Sequence, residues 1–452
     1  MKLSNLETYL TIPFTLGQAF QKIKRYKMRS LISIIFFIMV NGCNQKTTDP
    51  IPTVPAVVTQ QPEKFEITVL NPVKVAKTNT TKLIAHYMPW FQSKQISGKW
   101  GGHWTMANKN PDKIDANGKR EIAAYYYPTI GPYDSNDPDL LMYHAILLKL
   151  SGIDGVFFDW YGTIDFNDWK IIKQSTENAV SVFQKAGLEF GIVYEDQVLK
   201  IALDNKKTPS LIDGGQQDLT YLKNNFFTKP LYLKNNGKPI LLSYGPQGVK
   251  TPEEWSKIFS IFNDNEKPDF LTLWYHSQLA GSVSTGEFTW IAQKHLDELN
   301  YFYNTRLKEI KPSIYFSSIY PGFVSFYDEG GWGSGSGNWW SIKHENGETL
   351  KKTIQLAQNN NSKFIQITTW NDFGEGTIVE PTQEFGYSYL TQIQKLAGVD
   401  FKEDDLKIAE KFYLLRKKYK TDAVKLAKLE QVFYYICGLQ IDKAKELITK
   451  IE

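Results

Sequence analysis

Seven stretches of the chain combine a nearly continuous apolar run with β-branched or aromatic residues. Such runs are typical of parallel strands that are buried on both faces of a sheet. The first run continues into a loop, and the others end at turn residues. The pattern predicts strands at 82–91, 155–162, 188–196, 239–245, 270–276, 313–322 and 364–372.

Segments with helical spacing of apolar residues separate these strands. They predict helices at 139–153, 168–186, near 215–227, from Pro252, near 288–309 and from Glu348. Helix-separated parallel strands over roughly 320 residues favour an α/β fold of the (β/α)8 TIM type, with one strand hidden or irregular. A doubly wound open sheet is the alternative, but no glycine-rich phosphate fingerprint follows the first strand.

The two ends of the chain differ from the middle. Met28-Arg29-Ser30, an apolar run and Cys43 have the pattern of a secretory leader and resemble a bacterial lipoprotein signal with Cys43 as the lipidated residue. A short membrane anchor with the same outward topology is the alternative. We interpret the chain as a leader at 1–43, a flexible tether at 44–66, a barrel at 67–398 and a small helical appendage at 399–452. This places the protein in the bacterial cell envelope, periplasmic or on the outer surface, with a membrane contact through the lipid.

Composition narrows the classes of partner. Aromatic residues make up 14% of the chain, and their flat faces with polar tips suit sugar rings or protein surfaces. The net charge of only +4 gives no basic footprint for nucleic acid. The two cysteines, Cys43 and Cys437, cannot form a disulfide framework, and the scattered histidines have no metal-ligand spacing. We therefore expect neither a metal nor another cofactor.

Acidic residues recur at the strand ends, where barrel enzymes carry their reacting groups. Asp159, Glu195 and Asp196 end two strands, and Glu375 follows the last one. Side chains of adjacent strand residues point to opposite faces, so we expect Glu195 to face the barrel axis and Asp196 to support the site or its loop. The alternative for Asp159 and Glu375 is a structural role in binding backbone amides.

Aromatic and polar residues occupy the same ends of the strands and the long loops beside them. Acids for proton transfer with rings for stacking are typical of a sugar-cleaving cleft. His86 and Asp372 also stand at strand ends, and the stretch 322–340 brings Trp332, Trp339 and Trp340 as further platforms. We predict substrate contacts from Tyr87, Trp90, His103, Trp104, Trp160, Tyr194, Tyr244, Trp274, Tyr320, Trp370, Asn371 and Glu380.

A set of short motifs then suggests a family. AHYMPWF, GGHW, YYPTIGPYDSNDP, SGIDGVFFDWYG, PGF and WNDFGEGTIVEP occur in this order over residues 82–397. Together they resemble glycoside hydrolase families 71 and 99, which implies a (β/α)8 barrel that acts on α-linked glycans. The resemblance to family 99 also implies two glutamates separated by two residues, one assisting through the sugar 2-hydroxyl and one serving as general acid. In this comparison Glu195 matches the first acid, and Val198 stands where the second would be.

Our hypothesis from the sequence is a lipid-anchored glycosidase that takes an oligo- or polysaccharide substrate, with α-linked mannan, glucan or N-glycan-like chains as candidates. Glu195 is the expected base or nucleophile-like carboxylate, while Asp159, Asp196 and Glu375 compete for the role of acid. A non-catalytic glycan-binding lipoprotein is the main alternative, and a polysaccharide-assembly protein of the same superfamily is a third.

Overall fold

The computed structural model describes residues 64–333 and 340–452. The predicted leader with Cys43, nearly all of the predicted tether and Trp339 lie outside the described residues. Residues Phe65–Glu452 form one compact unit. None of the helices in the described ranges has both the length and the apolar character that a bilayer crossing requires.

Eight parallel strands form a closed barrel in the described part of the chain, which confirms the predicted (β/α)8 fold. The order around the barrel is β3-β2-β1-β9-β8-β7-β6-β5, and pairing of β5 with β3 closes it. The two-residue strand β4 pairs antiparallel with β5 outside the ring. The strands are β1 Lys82–Tyr87, β2 Gly155–Trp160, β3 Glu189–Tyr194, β4 Lys234–Asn235, β5 Lys238–Ser243, β6 Asp269–Leu273, β7 Ser284–Phe288, β8 Ile314–Ile319 and β9 Phe364–Ile367.

Helices cover the outside of the barrel and follow it at the C-terminal end. They are α1 Lys94–Ser97, α2 Gly102–Thr105, α3 Pro138–Leu150, α4 Trp169–Lys185, α5 Gln197–Asp204, α6 Leu211–Asn225, α7 Pro252–Ile258, α8 Ser277–Ala280, α9 Leu296–Tyr301, α10 Leu307–Ile310, α11 Tyr327–Gly330, α12 Glu348–Asn359, α13 Ser388–Ala397, α14 Glu403–Lys418, α15 Ala423–Cys437 and α16 Ile441–Ile451. Short 3₁₀ turns lie at Phe259–Ile261, Gly281–Val283 and Glu345–Gly347, and a π-helical turn at Phe302–Arg306 joins α9 to α10.

The hidden strand of the sequence pattern is β7, with the sequence Ser-Thr-Gly-Glu-Phe. The predicted helix near 288–309 was wrong at its start, because α9 begins only at Leu296. β7 is short and carries the fully buried Glu287, whose carboxylate is paired with Arg306 at 2.5 Å. A buried acid in a five-residue strand removes the apolar run by which a buried strand is recognised.

Side chains on β2 alternate between the barrel interior and the helix layer. The Phe157 ring lies inside, 5.2 Å from the ring of Phe316 on β8, and a Cβ on Gly191 of β3 would come within 2.5 Å of it. The Phe158 ring lies outside, stacked on Phe183 of α4 at 5.8 Å. Because strand residues alternate, Asp159 faces the interior above Phe157.

The C-terminal helices α14–α16, predicted after Gly398, are present and contact the helix layer of the barrel. The Lys417 ammonium lies 2.5 Å from a carboxylate oxygen of Asp137 and 2.8 Å from one of Asp139, at the start of α3. Arg416 forms a second ion pair with Asp139. α14 therefore holds the N-terminal end of α3.

Candidate active site

The ends of β1, β2 and β3 bring three polar side chains to the interior of the barrel mouth. His86, Asp159 and Glu195 are 1%, 2% and 6% exposed. The His86 Nε2 atom lies 3.9 Å from Asp159 Oδ1, and the carboxyl groups of Asp159 and Glu195 are close enough to influence each other's pKa. Gln197 donates a hydrogen bond of 2.9 Å to Glu195 from the start of α5.

Two more acids come from the loop that follows β9. The Asp372 backbone amide binds Thr369 Oγ1 at 2.8 Å, and the Glu375 amide donates to Asp372 Oδ1 at 3.0 Å, so a tight turn presents both carboxyl groups. The positive φ of 64° at Gly376 lets the chain leave this turn. Tyr327 donates a hydrogen bond of 3.3 Å to Glu375 Oε1.

The two groups of acids share one electrostatic environment. Burial raises the pKa of Glu195 well above its usual range, and repulsion from Asp159, Asp196 and Glu375 raises it further. Burial, followed by the charges of Asp372 and Asp159, does the same to the pKa of Glu375.

The two aspartates of the group are affected in the same direction. Burial, with a smaller contribution from Asp159, raises the pKa of Asp372 to about 7. Burial also raises the pKa of Asp159, against the opposing contact with His86. Neighbouring carboxyl groups that cannot all ionise provide a neutral acid beside a charged base, which acid–base catalysis requires.

Aromatic rings surround these carboxyl groups, and three of the predicted contact residues are among them. The pKa of Tyr244 is raised by burial and then by Glu375 and Glu195, so its phenol stands among the acids. Trp90 stacks on His103 at 4.0 Å with an interplanar angle of 7°, and Trp332 meets the edge of His103 at 5.4 Å. This pair of stacked rings forms a flat wall beside the cleft. Burial lowers the pKa of His103 to about 3, so the ring is neutral.

Three other predicted contact residues, Tyr87, Trp160 and Tyr194, face the helix layer. The Tyr194 hydroxyl donates to Asp218 of α6 at 2.7 Å, and Trp160 stacks on Tyr221 at 6.1 Å. The Tyr87 hydroxyl and His144 Nδ1 of α3 are 2.8 Å apart. Their contacts are those of packing residues, because each directly follows or precedes an inward-facing position on its strand.

A buried polar network lies behind the loop that carries Asp372 and Glu375, which we call the acid loop, and it contains a further three predicted residues. Asn371 binds the backbone of Met88 in both directions, through Oδ1 at 2.8 Å and Nδ2 at 3.1 Å. Glu380 accepts a hydrogen bond of 2.7 Å from Tyr133, and its other oxygen lies 3.2 Å from His144 Nε2. Trp370 meets the edge of His144 at 5.4 Å. These residues join the acid loop to β1 and α3 and are not cleft walls.

The remaining predicted residues also have structural contacts. Trp104 donates to the Tyr133 carbonyl at 2.7 Å, Trp274 stacks on Tyr275 at 5.6 Å, and the Tyr320 hydroxyl lies 2.9 Å from His295 Nδ1. The Asp196 carboxylate accepts hydrogen bonds from backbone amides of the loop after β5. Trp340 stacks on Phe323 at 4.3 Å.

Several cleft residues were not selected from the sequence. Tyr161 and Trp290 lie beyond strand ends, and the Trp290 ring stands 4.8 Å from His86 and 4.9 Å from Tyr244. Asp372 carried a usable signal, since Asp372-Phe373-Gly374-Glu375 has two acids separated by two residues. That is the spacing which the family resemblance implies, whereas Val198 is buried in α5.

Comparison with known proteins decides the family, since residues 78–424 match glycosyl hydrolase family 99. The chain belongs to this family. The resemblance to family 99 is therefore confirmed, and the protein is a glycoside hydrolase by membership. In the described residues no group of three or more His, Cys, Asp or Glu side chains is arranged to hold a metal ion.

Relatives and solved structures agree with the family match. The chain is 24% identical over 336 residues to the glycoprotein endo-alpha-1,2-mannosidase of Xenopus laevis, covering 65% of this chain and 68% of that protein. It is 20% identical over 356 residues to the uncharacterized protein WxcX of Xanthomonas campestris, covering 70% of this chain and 50% of the other. The GH99 endo-alpha-mannosidase of Bacteroides thetaiotaomicron shares the fold, with a TM-score of 0.55 at 17% identity, over 72% of this chain and 98% of that chain.

Proposed function

We propose that this family 99 protein is an endo-acting glycosidase that cleaves α-mannosidic bonds within a glycan. The observation that carries the proposal is the meeting of Asp372 and Glu375 with Asp159 and Glu195 in one buried cluster at the barrel mouth. The names of the frog relative and of the Bacteroides structure support mannose as the sugar.

Glu375 is our candidate for the general acid. Burial and the charge of Asp372 raise its pKa, which favours the protonated form that can give a proton to the departing glycosidic oxygen. Asp372 is our candidate for the carboxylate that assists through the sugar 2-hydroxyl, a role in which it accepts the hydroxyl proton. With a pKa of about 7 it is partly ionised near neutral pH and can act as a base there.

Asp159 and Glu195 then face the same sugar from β2 and β3. Whichever of the two is ionised would stabilise the positive charge that develops at the anomeric carbon. Asp159 Oδ1 and His86 Nδ1 have no hydrogen-bond partner among the described residues, which leaves both atoms to bind sugar hydroxyl groups.

The purified protein tests this proposal on a panel of α-mannans and α-glucans. We expect new reducing ends from α-mannan, oligosaccharide products by mass spectrometry, and much slower product release with Glu375→Gln. Release from α-glucans alone would contradict the choice of mannose, and release of free mannose alone would contradict endo action. Binding of a glycan without any release would favour the alternative of a glycan-binding protein.

Comparison of Glu375→Gln with Glu195→Gln separates the roles of these two carboxyl groups. If Glu195 is the principal catalytic carboxylate, as the sequence suggested, its glutamine variant loses at least as much turnover as Glu375→Gln. If Glu375 is the general acid, substrates with a good leaving group restore turnover to Glu375→Gln, because they need no protonation. They would not restore it to Glu195→Gln.

We also propose that Cys43 carries a lipid that anchors the protein in the cell envelope. The basic residues, the apolar run and the cysteine of the leader support this placement. Metabolic labelling with a radioactive fatty acid should mark the wild-type protein and not Cys43→Ser. An unlabelled wild-type protein in the soluble fraction would contradict it.

A further inference from the structure

The carboxylate of Asp196 is bound by three consecutive backbone amides. Its Oδ2 atom accepts hydrogen bonds of 2.9, 2.8 and 2.9 Å from the amides of Gln247, Gly248 and Val249. Its Oδ1 atom accepts a further hydrogen bond of 3.0 Å from the Gln247 amide. Asp196 is fully buried, so these bonds replace the water that the carboxylate loses.

The loop after β5 is shaped around this carboxylate. A methyl group on Gly245 would collide with the Asp196 carboxylate, and one on Gly248 would collide with the Asp196 carbonyl oxygen. The absence of side chains at both glycines allows the loop to approach the end of β3 this closely. The arrangement therefore depends on residues from two neighbouring strands, the acid after β3 and the two glycines after β5.

The same loop holds Tyr244 in the cleft. The Gln247 side chain donates a hydrogen bond of 2.8 Å to the Tyr244 carbonyl oxygen, and the Tyr244 amide binds the Tyr194 carbonyl oxygen at 2.9 Å. The Tyr244 ring stands 4.9 Å from that of Trp290, which lies 4.8 Å from the His86 ring, and the charges of Glu375 and Glu195 raise the pKa of the buried phenol further. Asp196 also directly follows Glu195, so one anchored residue fixes positions on two walls of the cleft.

We propose that Asp196 is a positioning residue of the glycosidase site, which acts through Tyr244 and Glu195 and exchanges no proton with the substrate. The inference rests on the proposed function only for its kinetic readout. It chooses between the two roles that the sequence left open for Asp196, which were support of the site and general acid, and it names the residues through which the support acts.

Substitution of Asp196 tests this role. Asp196→Asn can keep an acceptor oxygen towards the three amides, so we expect it to retain most of kcat and the wild-type pH profile. Asp196→Ala removes the acceptor, and a misplaced Tyr244 and Glu195 should lower kcat about 100-fold with a smaller change in KM. If Asp196 were the general acid, Asp196→Asn would lose activity as severely as Asp196→Ala and would lose a limb of the pH profile.

A double-mutant cycle tests whether the effect passes through Tyr244. Asp196→Ala should lower kcat by a smaller factor in a Tyr244→Phe background than in the wild type. The Tyr244 hydroxyl group, which Asp196→Ala would misplace, is already absent in that background. Fully additive losses would show that Asp196 does not act through Tyr244. Asp422→Ala is a matched control, since Asp422 caps the distant α15 by binding the Lys425 amide at 3.0 Å and should leave kcat unchanged.

Hydrogen exchange makes the inference independent of the glycan. The amides of Gln247, Gly248 and Val249 should exchange slowly in the wild type and in Asp196→Asn, and much faster in Asp196→Ala. If Asp196→Ala does not fold, Gly245→Ala should produce the same fast exchange by pushing the loop away. Unchanged amide exchange in both alanine variants would overturn the inference. If the variants show the expected exchange rates but the wild-type protein cleaves no glycan, only the proposed function is contradicted.

Discussion

At the ends of β1, β2 and β3, neighbouring residues point to two different environments, the helix layer outside and the barrel interior. On the outer side, Tyr87 and Tyr194 are fully buried and their hydroxyl groups contact His144 and Asp218. On the inner side, Asp159 Oδ1 has no hydrogen-bond partner in the described part of the chain. The outer residues hold the helices to the barrel, while the inner ones bring together carboxyl groups that repel one another and can bind a ligand. Residues that serve function and residues that serve stability therefore alternate along each strand.

The sharpest test of this separation is Glu375→Gln on the inner side. We expect kcat to fall by about 10²- to 10⁴-fold, the usual contribution of a general acid. The free energy of unfolding should stay the same or rise, because glutamine mimics the protonated acid without repelling Asp372. Steady-state kinetics and urea unfolding measure both quantities, and a large loss of stability would place Glu375 with the structural residues.

The matched change on the outer side is Trp160→Ala. Removal of this buried indole should lower the free energy of unfolding by about 3–5 kcal/mol. Turnover for each folded molecule should remain close to that of the wild type, because the ring faces Tyr221 and not the cleft. Urea unfolding gives the first value and active-site titration the second. A selective loss of kcat at full stability would break the comparison.

The pH dependence of stability gives a third test. The pKa of Asp372 is raised from 3.8 to about 7, so the folded state holds a proton that the unfolded state releases. Stability from this group is fully present below pH 3.8 and is lost as the pH rises through about 7.

Asp372→Asn should remove a slope of about 1.36 kcal/mol per pH unit within that window. Urea unfolding at several pH values measures the slope for both proteins. An unchanged slope in the variant would show that Asp372 ionises normally in the folded state.

The smallest expected effect is that of Tyr327→Phe. The hydrogen bond from Tyr327 lowers the pKa of Glu375, so its loss should move the alkaline limb of kcat/KM to higher pH. Tyr315→Phe is a control on the outer side, where the hydroxyl binds the Asn360 carbonyl oxygen. A shift of the limb to lower pH would contradict the assignment of Glu375 as the acid.

The barrel could be predicted from the sequence because most strands are buried on both faces and form apolar runs. The same property concealed the direction of individual side chains. In a run such as Phe157-Phe158-Asp159-Trp160, no polar alternation distinguishes the interior from the helix layer. Trp160 therefore looked like a sugar platform, although its indole belongs to the packing.

The acid loop was concealed for a different reason. Its shape depends on a segment far away in sequence, since the Val324 amide binds the Glu375 carbonyl oxygen at 2.8 Å and the Phe326 amide binds that of Gly374 at 2.8 Å. Local propensity cannot report such contacts. The sequence shows only the spacing of Asp372 and Glu375. The structure is needed to show that both carboxyl groups lie in the same cleft.

The ion pairs between α14 and the start of α3 have a practical consequence for anyone shortening this protein. α3 carries His144 towards Glu380, and Glu380 belongs to the segment that presents the acids. A version trimmed after residue 398 for crystallisation would keep every catalytic candidate. It would lose the ion pairs with α14 that hold α3 in place. Residues 399–452 should be retained in any truncated form intended for enzymology.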